Sequence, residues 1–102
     1  MSSSDRDGSH EVTVAWDGKR EAYVASLDGQ EVGLLVAQER EGVVLMPHTE
    51  VSDEAEGQGV GSTLARHALD AARDAGRRVR PTCPFVKGWI ARHPAYEDLV
   101  VS

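Results

Sequence analysis

Glu56-Gly57-Gln58-Gly59-Val60-Gly61 sets three glycines at alternating positions directly ahead of Ser62-Thr63-Leu64-Ala65-Arg66-His67-Ala68-Leu69, an apolar pattern with helical spacing. A helix starting there leaves its first N–H groups without partners and adds roughly half a positive charge, so the junction suits an anion such as a phosphate. Glycine also lets such a ligand approach the backbone closely. Taken alone, the stretch reads equally well as a turn joining strand to helix. Cys83 stands where a strand should end and a helix begin. A thiol near helical N–H groups has its thiolate stabilised, with Arg80 and Lys87 adding to that, so Cys83 is a candidate reactive thiol; the alternative is a small buried filler. His48 and Glu50 alternate on one strand and project to one face, where either could accept a proton. For His48 the alternative is a structural hydrogen bond across the sheet. His67 reads as a solvated helix residue and His93, before Pro94, as a turn residue with a packing role. None of the four histidines is spaced with another ligand as zinc requires, so no metal is expected.

The elements that must position these residues follow from pattern and punctuation. Val12 and Val14 alternate before Asp17-Gly18 and suggest a short first strand. Ala22 to Leu27 and Gln30 to Gln38 flank Asp28-Gly29, a dipeptide at ease with positive φ and suited to a two-residue hairpin turn. The first strand has Tyr23, Ala25 and Leu27 on one face, and alternate residues of the second give Val32, Leu34 and Val36. After a turn at Arg40-Glu41-Gly42, Val43-Val44-Leu45-Met46 begins a strand that is apolar on both faces and therefore central. Pro47 removes a ladder N–H, so pairing should loosen between Pro47 and Val51.

The helix after the glycines is predicted from about Gly61 to Ala75, burying Leu64, Ala65, Ala68, Leu69 and Ala72 and exposing Arg66, Asp70, Arg73 and Asp74, with Gly76 as its C-terminal cap. Val79 to Thr82 should form the next strand. Pro84 suits the first position of a second helix whose apolar face is Phe85, Val86, Trp89 and Ile90. Tyr96, Leu99, Val100 and Val101 form a closing strand or pack back on the core, with Tyr96 as a plug. Trp16 and Trp89 read as packing residues. The order gives an α/β (α+β) fold, an antiparallel meander followed by a strand-helix-strand-helix unit, with the glycine turn at the carboxyl end of the central strand where ligands of open sheets bind.

A chain of 102 residues has room for one domain and one core. Residues 1–10 are small and polar and are expected to be a disordered tail, leaving 11–102 as the domain. Seventeen acidic against eleven basic residues, net charge -6, argue against a nucleic-acid or anionic-membrane surface. The basic cluster Arg73, Arg77, Arg78 and Arg80 reads as a solvated face or as a phosphate contact. One cysteine excludes an internal disulfide framework and suggests a reducing compartment. With no apolar run of membrane-spanning length and no signal-peptide core, the expected location is cytoplasmic.

Val51 followed by the Glu56–Gly61 turn resembles the acyl-CoA motif of the GNAT N-acyltransferase superfamily, written Q/R-x-x-G-x-G/A. The string His48-Thr49-Glu50-Val51, Pro81-Thr82-Cys83-Pro84-Phe85-Val86 and Arg92-His93-Pro94-Ala95-Tyr96 is similar to a short single-domain branch of it, over roughly residues 20 to 100. The resemblance implies a GNAT-like mixed sheet and acetyl-CoA as cosubstrate, its pyrophosphate on the N–H groups of Gln58, Gly59, Val60, Gly61 and Ser62. It further implies pantetheine along the main chain at Glu50 and Val51, and Cys83 beside the thiol end as acyl acceptor or proton donor. An amine acceptor, open to a protein or peptide, would lose its proton to His48 or Glu50. The alternative is a non-catalytic acyl-CoA-binding or regulatory module. Two positions depart from the family pattern: Glu56 heads the motif, and Ile90 stands where many members carry a tyrosine acid.

Overall fold

A computed structural model describes residues 12–101. The expected tail at 1–10 lies outside these residues. The elements run β1 (Val12–Asp17), β2 (Ala22–Leu27), β3 (Gln30–Val36), β4 (Gln38–Arg40), β5 (Val43–Met46), β6 (Thr49–Val51), α1 (Val60–Asp74), β7 (Arg78–Pro81) and α2 (Pro84–Ala91). Short 3-10 segments at Asp53–Ala55 and Pro94–Leu99 complete the described elements. In place of a closing strand, Val100 makes one parallel bridge to Val79.

The β2–β3 hairpin turns at Asp28 (φ 52°) and Gly29 (φ 80°), the pair of positive values that the dipeptide permits. Its register carries a correction. A regular two-residue hairpin would set Val32 opposite Ala25, but the ladder slips by one, so Gly33 faces Ala25 and Leu35 faces Tyr23. The bulge turns Leu35 inward, fully buried, and leaves Leu34 and Val36 half-buried on the opposite face.

The expected single strand from Gln30 to Gln38 is also two. It breaks at Ala37, whose N–H bonds to the Glu21 carbonyl at 2.8 Å, and β3 and β4 belong to different sheets. One sheet runs β1-β2-β3-β6 and is antiparallel. The other runs β4-β5-β7, with β5 and β7 parallel. Pro47 marks the crossing between them. β5 pairs with β7 as far as Met46 opposite Pro81, after which the chain leaves to pair with β3 as β6. The central position expected for Val43–Met46 therefore holds within the smaller sheet, and the loosening expected after Pro47 is a split between two sheets.

Both helices pack on one side. α1 buries Val60, Gly61, Leu64, Ala65, Ala68, Leu69 and Ala72, and α2 buries Val86, Trp89 and Ile90. With Leu35, Met46 and Val79 these make one contiguous core. α1 packs closely over Gly33: a Cβ there would lie 2.8 Å from the Glu50 carbonyl oxygen and 3.1 Å from Val60 Cγ1. Trp16 departs from its expected packing role. It is 51% exposed, tilted against Tyr23 at 4.9 Å between ring centroids.

Candidate functional site

A cleft of about 560 Å³ opens between the first turn of α1 and one face of α2. The loop from Ala55 to Gly59 forms its rim, and Val51 its floor on the β6 side. Each motif glycine has a separate cause. Gly57 (φ 84°) and Gly59 (φ 79°) take left-handed backbone, Gly59 as the N-cap of α1. Gly61 is required by space: a Cβ there would lie 2.7 Å from Phe85 Cζ.

The cap supplies no side-chain acceptor, and the first bond into the helix is from Thr63 N–H to the Gly59 carbonyl at 2.9 Å. Among the described residues, the N–H groups of Gly59, Val60, Gly61 and Ser62 find no acceptor. That row of free donors at the positive end of a 15-residue helix has the geometry to cradle an anion. Ser62 Oγ accepts a 2.9 Å bond from Trp89 Nε1, which leaves its O–H available as a further donor. Gln58, expected to share in the cradle, does not: its backbone N–H donates to the Ala55 carbonyl at 3.2 Å and its Nε2 to the Glu54 carbonyl at 3.3 Å.

The α2 wall holds residues that the sequence pattern assigned to packing. Trp89 is buried yet lines the cleft, stacked on His93 at 3.7 Å and tilted against Tyr96 at 5.2 Å. His93 Nδ1 lies 2.7 Å from the Trp89 carbonyl, so that nitrogen carries the proton and Nε2 is the free one. Arg92 and His93 both face the cleft. Their signal in the sequence was the Arg92-His93-Pro94 string itself, one turn beyond Trp89 on a helix about to end.

The other basic cluster stays on the surface. Arg73 pairs with Asp98 at 3.1 Å, Arg77 approaches Glu39 at 3.9 Å, and Arg78 reaches the Val100 carbonyl at 3.5 Å. The Arg73 guanidinium holds the Asp98 carboxyl below its ordinary value. Tyr96 fills its expected place against the core and donates its O–H to Asp70 at 2.8 Å, which raises its pKa.

Cys83 sits at the split. It is the N-cap of α2, buried, with its N–H on the Met46 carbonyl at 3.1 Å and Sγ 3.4 Å from Thr49 Oγ1 on β6. It does not line the cleft itself. His48 and Glu50 share a face as expected, His48 Nε2 lying 3.1 Å from Glu50 Oε2 with both side chains exposed. Glu50 pairs in register with Leu34, so these two groups lie on the sheet face away from α1, whereas Thr49 and Cys83 lie between the sheets. Glu50 lines a smaller hollow of about 300 Å³ there with Glu31 and Ser52. The structure thus brings Val51, Gly59, Val60, Gly61 and Ser62 together and sets Cys83, and then His48 and Glu50, successively farther through the sheet. Among the described residues no three metal-ligating side chains converge, and no helix is long and apolar enough to cross a membrane.

The family model of the GCN5-related N-acetyltransferases matches residues 22–99, and the chain belongs to that family. Solved structures agree in fold. A GCN5-like N-acetyltransferase fold from Staphylococcus aureus aligns with TM-score 0.67 at 21% identity, covering 90% of this chain and 88% of that one. The ribosomal-protein-S18-alanine N-acetyltransferase of Escherichia coli aligns with TM-score 0.62 at 11% identity, covering 91% and 59%. The N-acetylglutamate synthase of Neisseria gonorrhoeae, solved with coenzyme A and N-acetyl-glutamate, aligns with TM-score 0.61 at 18% identity, covering 88% of this chain and 23% of that one. The chain therefore spans most of the staphylococcal protein and a smaller part of the other two. No curated protein sequence matches it.

Proposed function

We propose that this chain is an N-acetyltransferase that takes acetyl-CoA in the cleft between α1 and α2 and passes the acetyl group to an amine. The observation that carries the reading is the row of unpartnered N–H groups from Gly59 to Ser62 opening onto the cleft, in a chain of this family. Those donors and the Ser62 hydroxyl would hold the pyrophosphate. The unpaired edge of β6, at Glu50 and Val51, would take the pantetheine amides as a strand takes its neighbour. Bound acetyl-CoA supplies an activated thioester.

Direct transfer needs a neutral amine, a base for the proton that amine must lose, and a donor to protonate the departing thiolate. In this reading His48 or Glu50 removes a proton from an ammonium arriving on the outer sheet face. Cys83, between that face and the cleft, either gives a proton to the sulfur or accepts the acetyl group itself. The outer face is open and rimmed by Glu31 and Glu50. An exposed cationic group of a protein or peptide suits it; the E. coli neighbour acts on an alanine of a ribosomal protein, as its name states.

Calorimetric titration with acetyl-CoA, followed by thiol release over a panel of small amines and peptides, tests this. Saturable binding and amine-dependent release are expected. Binding without release from any amine would return the non-catalytic acyl-CoA-binding module, and absence of binding would remove both readings.

A further inference from the structure

We propose that Arg92 supplies the cation for the pyrophosphate of acyl-CoA, in place of the motif-head residue that here is Glu56. The inference rests on the acyl-CoA reading of the cleft and goes beyond it, because the cradle of backbone N–H groups needs no side-chain charge.

Glu56 is one of the residues lining the cleft, so its carboxylate belongs to the same wall as the free N–H groups. A like charge within a few ångströms costs binding energy unless a cation offsets it. Of the lysines and arginines among the described residues, Arg92 is the one on the cleft wall. It is also uncommitted: Arg20, Arg40, Arg73 and Arg77 each have a carboxylate within 4.0 Å, and Arg66 lies over the Trp89 ring. The Arg92 side chain has no ion pair or hydrogen bond among the described residues.

Its direction is set by a gap in α2. The Arg92 Nη1 atom lies 3.5 Å from where a Cβ of Gly88 would be, so the guanidinium folds back along the helix over bare backbone. Four residues back along a helix is the same face, and on that face Phe85 and Trp89 meet Gly61 and Ser62. Trp89 is clamped between the Ser62 hydroxyl and the His93 ring, so the helix that carries Arg92 is fixed against the cradle before any ligand arrives. A guanidinium held there meets two phosphate oxygens as a fork, the geometry it matches best.

Calorimetry with CoA, 3′-dephospho-CoA and S-acetylpantetheine separates the possibilities. For Arg92→Ala, affinity for CoA and for 3′-dephospho-CoA should fall alike, by about tenfold, with S-acetylpantetheine unchanged. Arg92→Lys should recover part of the loss, and Glu56→Gln should tighten CoA in the wild-type background. Unchanged CoA affinity in Arg92→Ala overturns the inference. So does a loss confined to CoA, which would move Arg92 to the 3′-phosphate. A wild-type chain that binds none of the three ligands overturns the acyl-CoA reading and this inference with it, whereas wild-type binding that Arg92→Ala leaves intact overturns this inference alone. Arg92 is exposed, and an unaltered urea midpoint confirms that the variant is folded.

Discussion

Gly61 and Phe85 decide at single-residue scale how wide the cleft is. A Cβ at position 61 would sit 2.7 Å from Phe85 Cζ, so Gly61→Ala must push the ring toward the opening. Phe85 is 38% exposed and can move, so we expect a stability loss of about 1 kcal/mol, at the low end for overpacking, but a clear loss of acetyl-CoA affinity. Adding Phe85→Ala should restore the affinity; calorimetry on the single and double variants checks both. Cys83→Ser asks a different question. The thiol is buried against Thr49 and outside the cleft, so acetyl-CoA affinity should stay within about twofold while amine-dependent thiol release falls by at least tenfold, a loss of transition-state stabilisation alone. Unchanged release would reduce Cys83 to a packing residue at the split.

At the scale of elements, the split between the sheets and the seat of α1 are the features that make a site. Gly33 lets α1 approach β3, and the atom that a methyl at this position would meet first, the Glu50 carbonyl oxygen at 2.8 Å, is backbone that cannot swing aside. Gly33→Ala should cost about 1–3 kcal/mol, or roughly 4–8 °C of Tm per kcal/mol in a domain of this size, measured by thermal unfolding. These same elements show what a sequence makes legible. Asp28-Gly29, the Gly57/Gly59/Gly61 run, Pro84 and Gly76 act through their own backbone or through the residue next to them, and the hairpin, cradle and helix ends follow. The slip at Val32 does not show, because β3 is apolar at consecutive positions and both registers bury a reasonable face. The break at Ala37 depends on a partner at Glu21, sixteen positions away, and nothing in alanine announces it. Arg92 and His93 were hidden for a related reason: which way a helix end faces is fixed by the packing of Trp89 on Ser62, not by local pattern.

At the scale of the whole molecule, the acidic surface is held by a few bridging arginines. Arg20 reaches Asp17 at 2.8 Å and Glu31 at 3.0 Å, tying the start of β2 to β1 and β3. Its side-chain hydrogen bonds hold both carboxyls below their ordinary values. The sign follows from that direction: the contribution is full above the ordinary carboxylate pKa and is lost as pH falls through the lowered ones. Arg20 and Glu31 are exposed and Asp17 is half-buried, so the effect is modest and screened by salt. Urea midpoints should separate wild type from Arg20→Ala at pH 7 and converge only as pH falls below the lowered carboxylate values. The two tryptophans lead to a property of another kind. Trp16 stands in solvent, while Trp89 is shielded and lies face to face with an imidazole at 3.7 Å. Their fluorescence is therefore separable: acrylamide extinguishes the first and leaves the second, an optical gauge already built into the wall of the cleft and readable without any label.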